Sequence, residues 1–436
     1  MKRALVKPVR VGVVGFVLTW CHLTGGQTMD EAVQKAHAEL WRRFIDPTWH
    51  TFYDHAGFDG EIVLPTPEEC RTNKPNALSW DISVTDGAMF GGMYMEAAVH
   101  RWQITHQAED RDKARRIAKG LTKLASVGQT KGFLARGLPA DGSAHYPCSS
   151  NDQTFPWLYG MWRYMRSDIP DKADREQVCG KIIEVMEGLR SHKWRVPADR
   201  PPFDYFGEFS GFSWDAAPRL LFLLKMAADV SGDGAWEERY RQAIAEKAPP
   251  GKASRLEICA KGMVFGHHGP GFRHTWTACP GVMGLRGLWE LETDLELKAA
   301  YAQGLKASAA VGAEGIPLAL EFDSDDRQTF LLDWRAMNTL WREQHSVKEA
   351  RELAEKQLRL LDSLSPRRVY ENRLVREPLF SAWAVTLCPD PSVLRQHAPA
   401  ILKAIRHYRC DRLYISQFFP AESAYYRLRL SGATQE

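Results

Sequence analysis

No segment of this 436-residue chain is apolar for long enough to cross a bilayer comfortably, and the short run Val11 to Trp20 falls well below the length a span requires. None of the eight cysteines (Cys21, Cys70, Cys148, Cys179, Cys259, Cys279, Cys388, Cys410) forms a Cys-x-x-Cys pair, which removes the zinc-cluster classes. Long blocks of like charge are missing too. The 57 basic and 54 acidic residues nearly cancel, giving a net charge of +3, so nothing argues for a nucleic-acid partner. There is no Gly-x-Ser-x-Gly elbow, no phosphate loop and no His-Glu-x-x-His. Gly87, Gly91 and Gly92 lack the preceding βαβ unit that a dinucleotide fingerprint needs. Together these absences point to chemistry done by side chains, with no cofactor and no metal.

The N-terminus carries an export pattern. Lys2, Arg3, Lys7 and Arg10 form a basic region, Val11 to Trp20 the apolar region, and Thr24-Gly25-Gly26 a small-residue cleavage site. Residues 1–26 therefore read as a signal peptide and 27–436 as one mature domain, periplasmic or secreted, with no membrane contact after cleavage. Removing the signal leaves seven cysteines. Cys179 and Cys388 lie in apolar helical stretches and read as core, and no disulfide can be assigned from spacing.

What the chain does have is helical periodicity. A leading helix near Glu31 to Phe44 is followed by six expected hairpins: 84–106 with 109–126, 152–167 with 173–192, 212–230 with 234–247, 275–291 with 294–311, 327–343 with 346–364, and 378–387 with 392–408. Second helices are amphipathic, as in Ala114, Ile117, Ala118, Leu121 and Leu124. First helices are apolar nearly all round, as in Phe155 to Met165 and Val282 to Trp289, and so belong inside. Alternating buried and half-buried helices predict two concentric rings, an all-α (α/α)6 toroid with short β-segments in the rim loops. One of these segments is expected over Arg412 to Phe419. The long loops all precede inner helices and should share one end.

That end collects the polar residues. Lys131 to Trp157 brings Arg136, His145, Tyr146, Asn151, Asp152 and Gln153 into one loop running into a helix. Asp86 opens the preceding inner helix, 66 residues earlier, so the two aspartates should be neighbours. Paired carboxylates do general acid/base work if one is held protonated. The competing reading makes both of them N-caps, each worth about 1 kcal/mol. Trp80, Tyr146, Trp157 and Trp214 are candidate stacking platforms. His267, His268, Arg273 and His274 before the fourth inner helix, together with Arg136, suit a sugar carboxylate, and the histidines lack metal-ligand spacing.

On Thr85-Asp86-Gly87, Asn151-Asp152 and the segments ARGLPADGS and HYPCSSNDQTFPW, the mature chain resembles the six-hairpin glycosidase superfamily. Within it, the chain is similar to the unsaturated glucuronyl and rhamnogalacturonyl hydrolases (glycoside hydrolase families 88 and 105) and to the β-glucuronidase-like family 154. The resemblance implies the toroid, with Asp152 as general acid/base and Asp86 as its carboxylate partner. The expected function is a secreted glycoside hydrolase that removes a terminal uronic acid from an anionic oligo- or polysaccharide. A polysaccharide lyase using His145, Tyr146 and Arg136, or a non-catalytic carbohydrate-binding toroid, are the alternatives. Export predicts a mature chain beginning near Gln27. N-terminal sequencing from a native-like host reads this directly, and an intact Met1 in a soluble cytoplasmic protein contradicts it.

Overall fold

A computed structural model describes residues 28–247, 252–264 and 274–434. The expected signal peptide lies outside the described residues. Helix makes up 62% of the structure and strand 3%, so the fold is all-α. In chain order the helices are α1 (Met29–Arg43), α2 (Pro67–Arg71), α3 (Gly87–Thr105), α4 (Ala108–Leu124), α5 (Asn151–Arg166), α6 (Lys172–Ser191), α7 (Ala216–Ser231), α8 (Gly234–Ala245), α9 (Arg255–Lys261), α10 (Thr275–Leu291), α11 (Leu295–Ala313), α12 (Val347–Leu364), α13 (Pro366–Glu371), α14 (Glu377–Thr386), α15 (Pro391–His407) and α16 (Pro420–Leu430). Two short antiparallel strands, β1 (Arg195–Pro197) and β2 (Tyr205–Glu208), lie in the loop before α7.

Burial follows the hydrophobic pattern. Helices α3, α5, α7, α10 and α14 are buried on nearly every face, whereas α4 and α12 bury one stripe. Neighbour relations run from α3 to α5, α7, α10, α14 and α16, and α16 packs back against α3. The starts of these helices share one end. Gln153 at the start of α5 bonds Asp86 before α3, Arg219 in α7 bonds Asp152 in α5, and Glu377 in α14 accepts the N–H of Thr275 in α10 at 2.7 Å.

Helices α3 and α5 approach closely. A Cβ on Gly92 would sit 2.3 Å from the carbonyl oxygen of Pro156, and one on Gly160 would sit 2.2 Å from that of Gly92. Only glycine lets the two backbones touch at this crossing. Deeper between the helices, the fully buried Glu96 of α3 joins its neighbours. It accepts from Tyr159 of α5 at 2.7 Å, Trp383 of α14 at 3.1 Å and Arg427 of α16 at 2.9 Å. A buried carboxylate is tolerated when its oxygens are saturated in this way, and the facing guanidiniums outweigh burial to hold it well below its ordinary range.

Two expectations are corrected. The inner helix expected over 327–343 is absent. The segment is irregular and then makes a short 3₁₀ helix, Trp334–Leu340. Its spacing supplies two buried anchors, Trp334 and Met337, three residues apart and so on one face of that helix. The indole of Trp334 donates to the Val63 carbonyl at 2.7 Å, and Arg335 pairs with Glu69 at 2.6 Å, so the segment clamps onto the loop before α3. Helix α12 rests on the same loops. Ala350 and Ala354 meet Ala77, Leu78, Cys148 and Phe203, and buried Gln357 accepts from Asn76 and donates to the Pro75 carbonyl, each at 2.8 Å. Second, Arg412 to Phe419 forms no strand, only an isolated bridge between Ile415 and His55. The chain instead continues into α16, and α1 packs against it as its outer partner. The seven cysteines among the described residues are all unpaired.

Gly92→Ala should therefore cost about 1–3 kcal/mol, the usual penalty for forcing a methyl group into a closed contact. Denaturant unfolding measures it, and an unchanged midpoint would contradict the contact.

Candidate functional site

Neither aspartate caps its helix. Asp86 stands at the N-cap position of α3 without a side-chain capping bond, and at α5 the N-cap residue is Ser150, also without one. Both carboxylates face other groups. Oδ1 of Asp86 accepts from Nε2 of Gln153 at 2.5 Å and lies 3.4 Å from Nη1 of Arg136. The same Gln153 accepts from the Met89 N–H at 3.0 Å, so one buried amide links the starts of α3 and α5. Asp152 pairs instead with Nη1 of Arg219 at 2.8 Å. Its side chain is 43% exposed, whereas Arg219 is 1% exposed.

The two carboxyls are thus held in different environments. Burial pushes Asp86 up to about 6, against the pull of Arg136 and Gln153, with the charges of Asp152 and Asp81 adding to the rise. Behind it lies Asp54, also buried, whose Oδ1 accepts the Asp86 N–H at 2.9 Å. Burial and the Asp86 charge raise Asp54 as well. Both bonds to the Asp86 side chain land on Oδ1, which leaves Oδ2 for a proton.

Cations surround this pair. Arg136 is 5% exposed. Arg368 bonds Asp81 and, at 2.8 Å, Asp362. Arg376 sits 4.2 Å above the Trp276 ring and 3.6 Å from Glu377. Burial holds Glu377 at about 7 even though Arg376 and the N–H groups of Thr275 and Trp276 favour its charged form. Several buried donors here have no hydrogen-bond partner among the described residues: Nε of Arg136, Arg219 and Arg376, and the indole N–H of Trp214 and Trp276. Buried donors without acceptors are costly, and a cluster of them at the shared helix starts is what a ligand rich in oxygen acceptors would satisfy.

The expected residues divide into groups. Asp86, Asp152, Arg136 and Gln153 come together. Asn151 starts α5 with its side chain against Gly207 of β2. Trp214 is 6% exposed and packs beside Gly281, while the half-buried Trp80 meets Phe206 edge-on at 6.0 Å. Trp157 is wholly buried, donates to the Leu121 carbonyl at 2.8 Å, and is core. His145 and Tyr146 turn elsewhere. Nε2 of His145 is 2.8 Å from Asp199, a carboxylate that also accepts two backbone N–H groups, and the Tyr146 hydroxyl donates to the Lys74 carbonyl. His274 immediately precedes α10 and is half-buried. His267, His268 and Arg273 lie outside the described residues.

Sequence reading passed over Arg219, Asp54 and Arg376. For Arg376 a signal existed. Arg376-Glu377-Pro378 directly precede the apolar run of α14, just as Asn151-Asp152 precede that of α5. Among the described residues no group of His, Cys, Asp and Glu could hold a metal ion, and no helix is long and apolar enough to cross a membrane. No protein-family model matches the chain, and no curated protein matches it.

The raised Asp86 carboxyl has a consequence for stability. Its folded value lies above the ordinary 3.8, so its contribution is fully present below about pH 4 and is lost as pH rises through about 6. Each tenfold gain in proton affinity on folding is worth about 1.4 kcal/mol, so the loss is about 3 kcal/mol. Asp86→Asn cannot titrate, so its stability relative to the parent should rise by roughly that amount between about pH 4 and 7. Urea unfolding across this range is the check, and a pH-independent difference would contradict the assignment.

Proposed function

We propose that the chain is a glycoside hydrolase built on an (α/α)6 toroid, acting on an acidic glycan and removing a terminal uronic acid. The cyclic order of α3, α5, α7, α10, α14 and α16, with their starts at one end, supports the toroid. The catalytic reading rests chiefly on one observation: two carboxylates at adjacent inner-helix starts, neither of them capping, lie in opposite electrostatic settings. Environments that separate two carboxyls in this way assign acid and base.

The settings favour Asp86 as the proton donor and Asp152, ion-paired to Arg219, as the charged partner. This is the reverse of the roles that the family resemblance implies. Asp86 passes its Oδ2 proton to the glycosidic oxygen as the bond to the anomeric carbon breaks. Water adds at that carbon, and Asp152 takes the proton the water loses. Arg136 and Arg376 are the groups that suit the uronate carboxylate, since a planar guanidinium matches it bidentately. The lyase alternative has less support, because its expected base residues His145 and Tyr146 are held by Asp199 and the Lys74 carbonyl.

Uronic-acid oligosaccharides incubated with the protein should lose their terminal sugar. Asp86→Asn and Asp152→Asn should each cut turnover by about two to four orders of magnitude, the usual share of a general acid or base. Near-parental turnover in Asp86→Asn would overturn the assignment. Arg376→Ala should weaken uronide binding by about tenfold or more, the loss of a charge-assisted bond, with little change for the matching neutral glycoside. Equal losses on both would argue against carboxylate recognition.

A further inference from the structure

At the end opposite Asp86, the C-terminal parts of α3, α10, α14 and α16 border a half-open cavity of about 270 Å³, lined among others by His100, Arg286, Glu290, Arg427 and Ser431. The glycosidase reading makes no use of it. Three guanidiniums, Arg163, Arg286 and Arg427, gather here around two carboxylates, Glu96 and Glu290. Both carboxylates are saturated. Glu96 takes Tyr159, Trp383 and Arg427, and Glu290 takes Arg163 and Arg286.

Donors therefore outnumber acceptors. Arg427 commits Nε and Nη2 to Glu96. Arg286 commits Nε to Glu290 at 2.5 Å and Nη1 to the Leu387 carbonyl at 3.2 Å. No described residue accepts from Nη1 of Arg427 or Nη2 of Arg286. Nδ1 of His100 is buried with no partner, and burial drives this imidazole down to about 3, so it is neutral. Helix C-termini attract arginines, and the Leu387 carbonyl uses one donor in that way. One positive charge and several directed donors remain around a half-open cavity. An anion with several oxygens would balance the charge and accept from the donors.

We propose that this second cavity binds a small oxyanion, with the chemistry shared by phosphate and carboxylate ligands, through Arg286, Arg427 and His100. The test is thermal unfolding of the whole protein at pH 7 and constant ionic strength, titrated in separate arms with inorganic phosphate and with acetate. A saturable rise in the midpoint is expected in at least one arm, and which arm responds identifies the source. Arg286→Gln should weaken the apparent affinity about tenfold or more, whereas Arg136→Gln, at the other end, should leave it unchanged. Ser431→Asp places a carboxylate at the cavity edge. It should raise the midpoint without added anion and blunt the response, which keeps the test decisive if Arg286→Gln does not fold. No saturable rise in either arm, a response retained in Arg286→Gln, or one lost in Arg136→Gln would each overturn the proposal.

Discussion

The contact between α3 and α5 governs what the rest of the molecule can do. Gly92 and Gly160 let the two backbones meet at the carbonyls of Pro156 and Gly92. At that separation Gln153 reaches across to accept from Met89 and donate to Asp86. A side chain in place of either glycine would push the helices apart and separate Asp86 from Gln153. The acidic pair is thus a consequence of backbone packing, and its fixed geometry is the kind of preorganisation that acid/base chemistry requires.

The same closeness shapes the electrostatics. Asp86 is boxed in by α3, α5 and the Asp54 loop, so burial dominates and lifts its carboxyl. Asp152, in the first turn of the neighbouring helix, is nearer solvent and meets the buried Arg219 from α7. Two residues of one type acquire different chemistry from their depth and their partners. The insertion between α11 and α14 holds this arrangement from outside. Trp334, Arg335 and Gln357 grip the loops that lead into α3.

Much of this was legible in the chain. The runs of α3, α5, α7, α10 and α14 are apolar on nearly all sides, and these helices are buried on nearly every face. The polar residues immediately before those runs pointed to the site end, and Asp86 and Asp152 do share that end. The burial of α16 was not legible. Helix α16 carries Glu422 and Arg427, charges that look solvated in sequence, yet each is buried against partners distant along the chain: His37 and Tyr94 for the first, Glu96 for the second. Residues 327–343 misled in the opposite direction. Their apolar spacing fits an α-helix, but it serves a short 3₁₀ helix that anchors a loop. Arg219 was invisible for a related reason. It sits among Leu220, Leu221 and Phe222 in an apolar helix, and only the fold brings Asp152 to it.

The central claim is that the Asp86–Asp152 pair adds water across a glycosidic linkage of an acidic glycan. Digestion of a uronic-acid glycan panel in water enriched in heavy oxygen tests it most directly, with the products read by mass spectrometry. The account predicts one heavy oxygen in each sugar released, and loss of the labelled product in Asp86→Asn. An unlabelled product bearing a new ultraviolet-absorbing double bond, or a panel recovered intact, would contradict it.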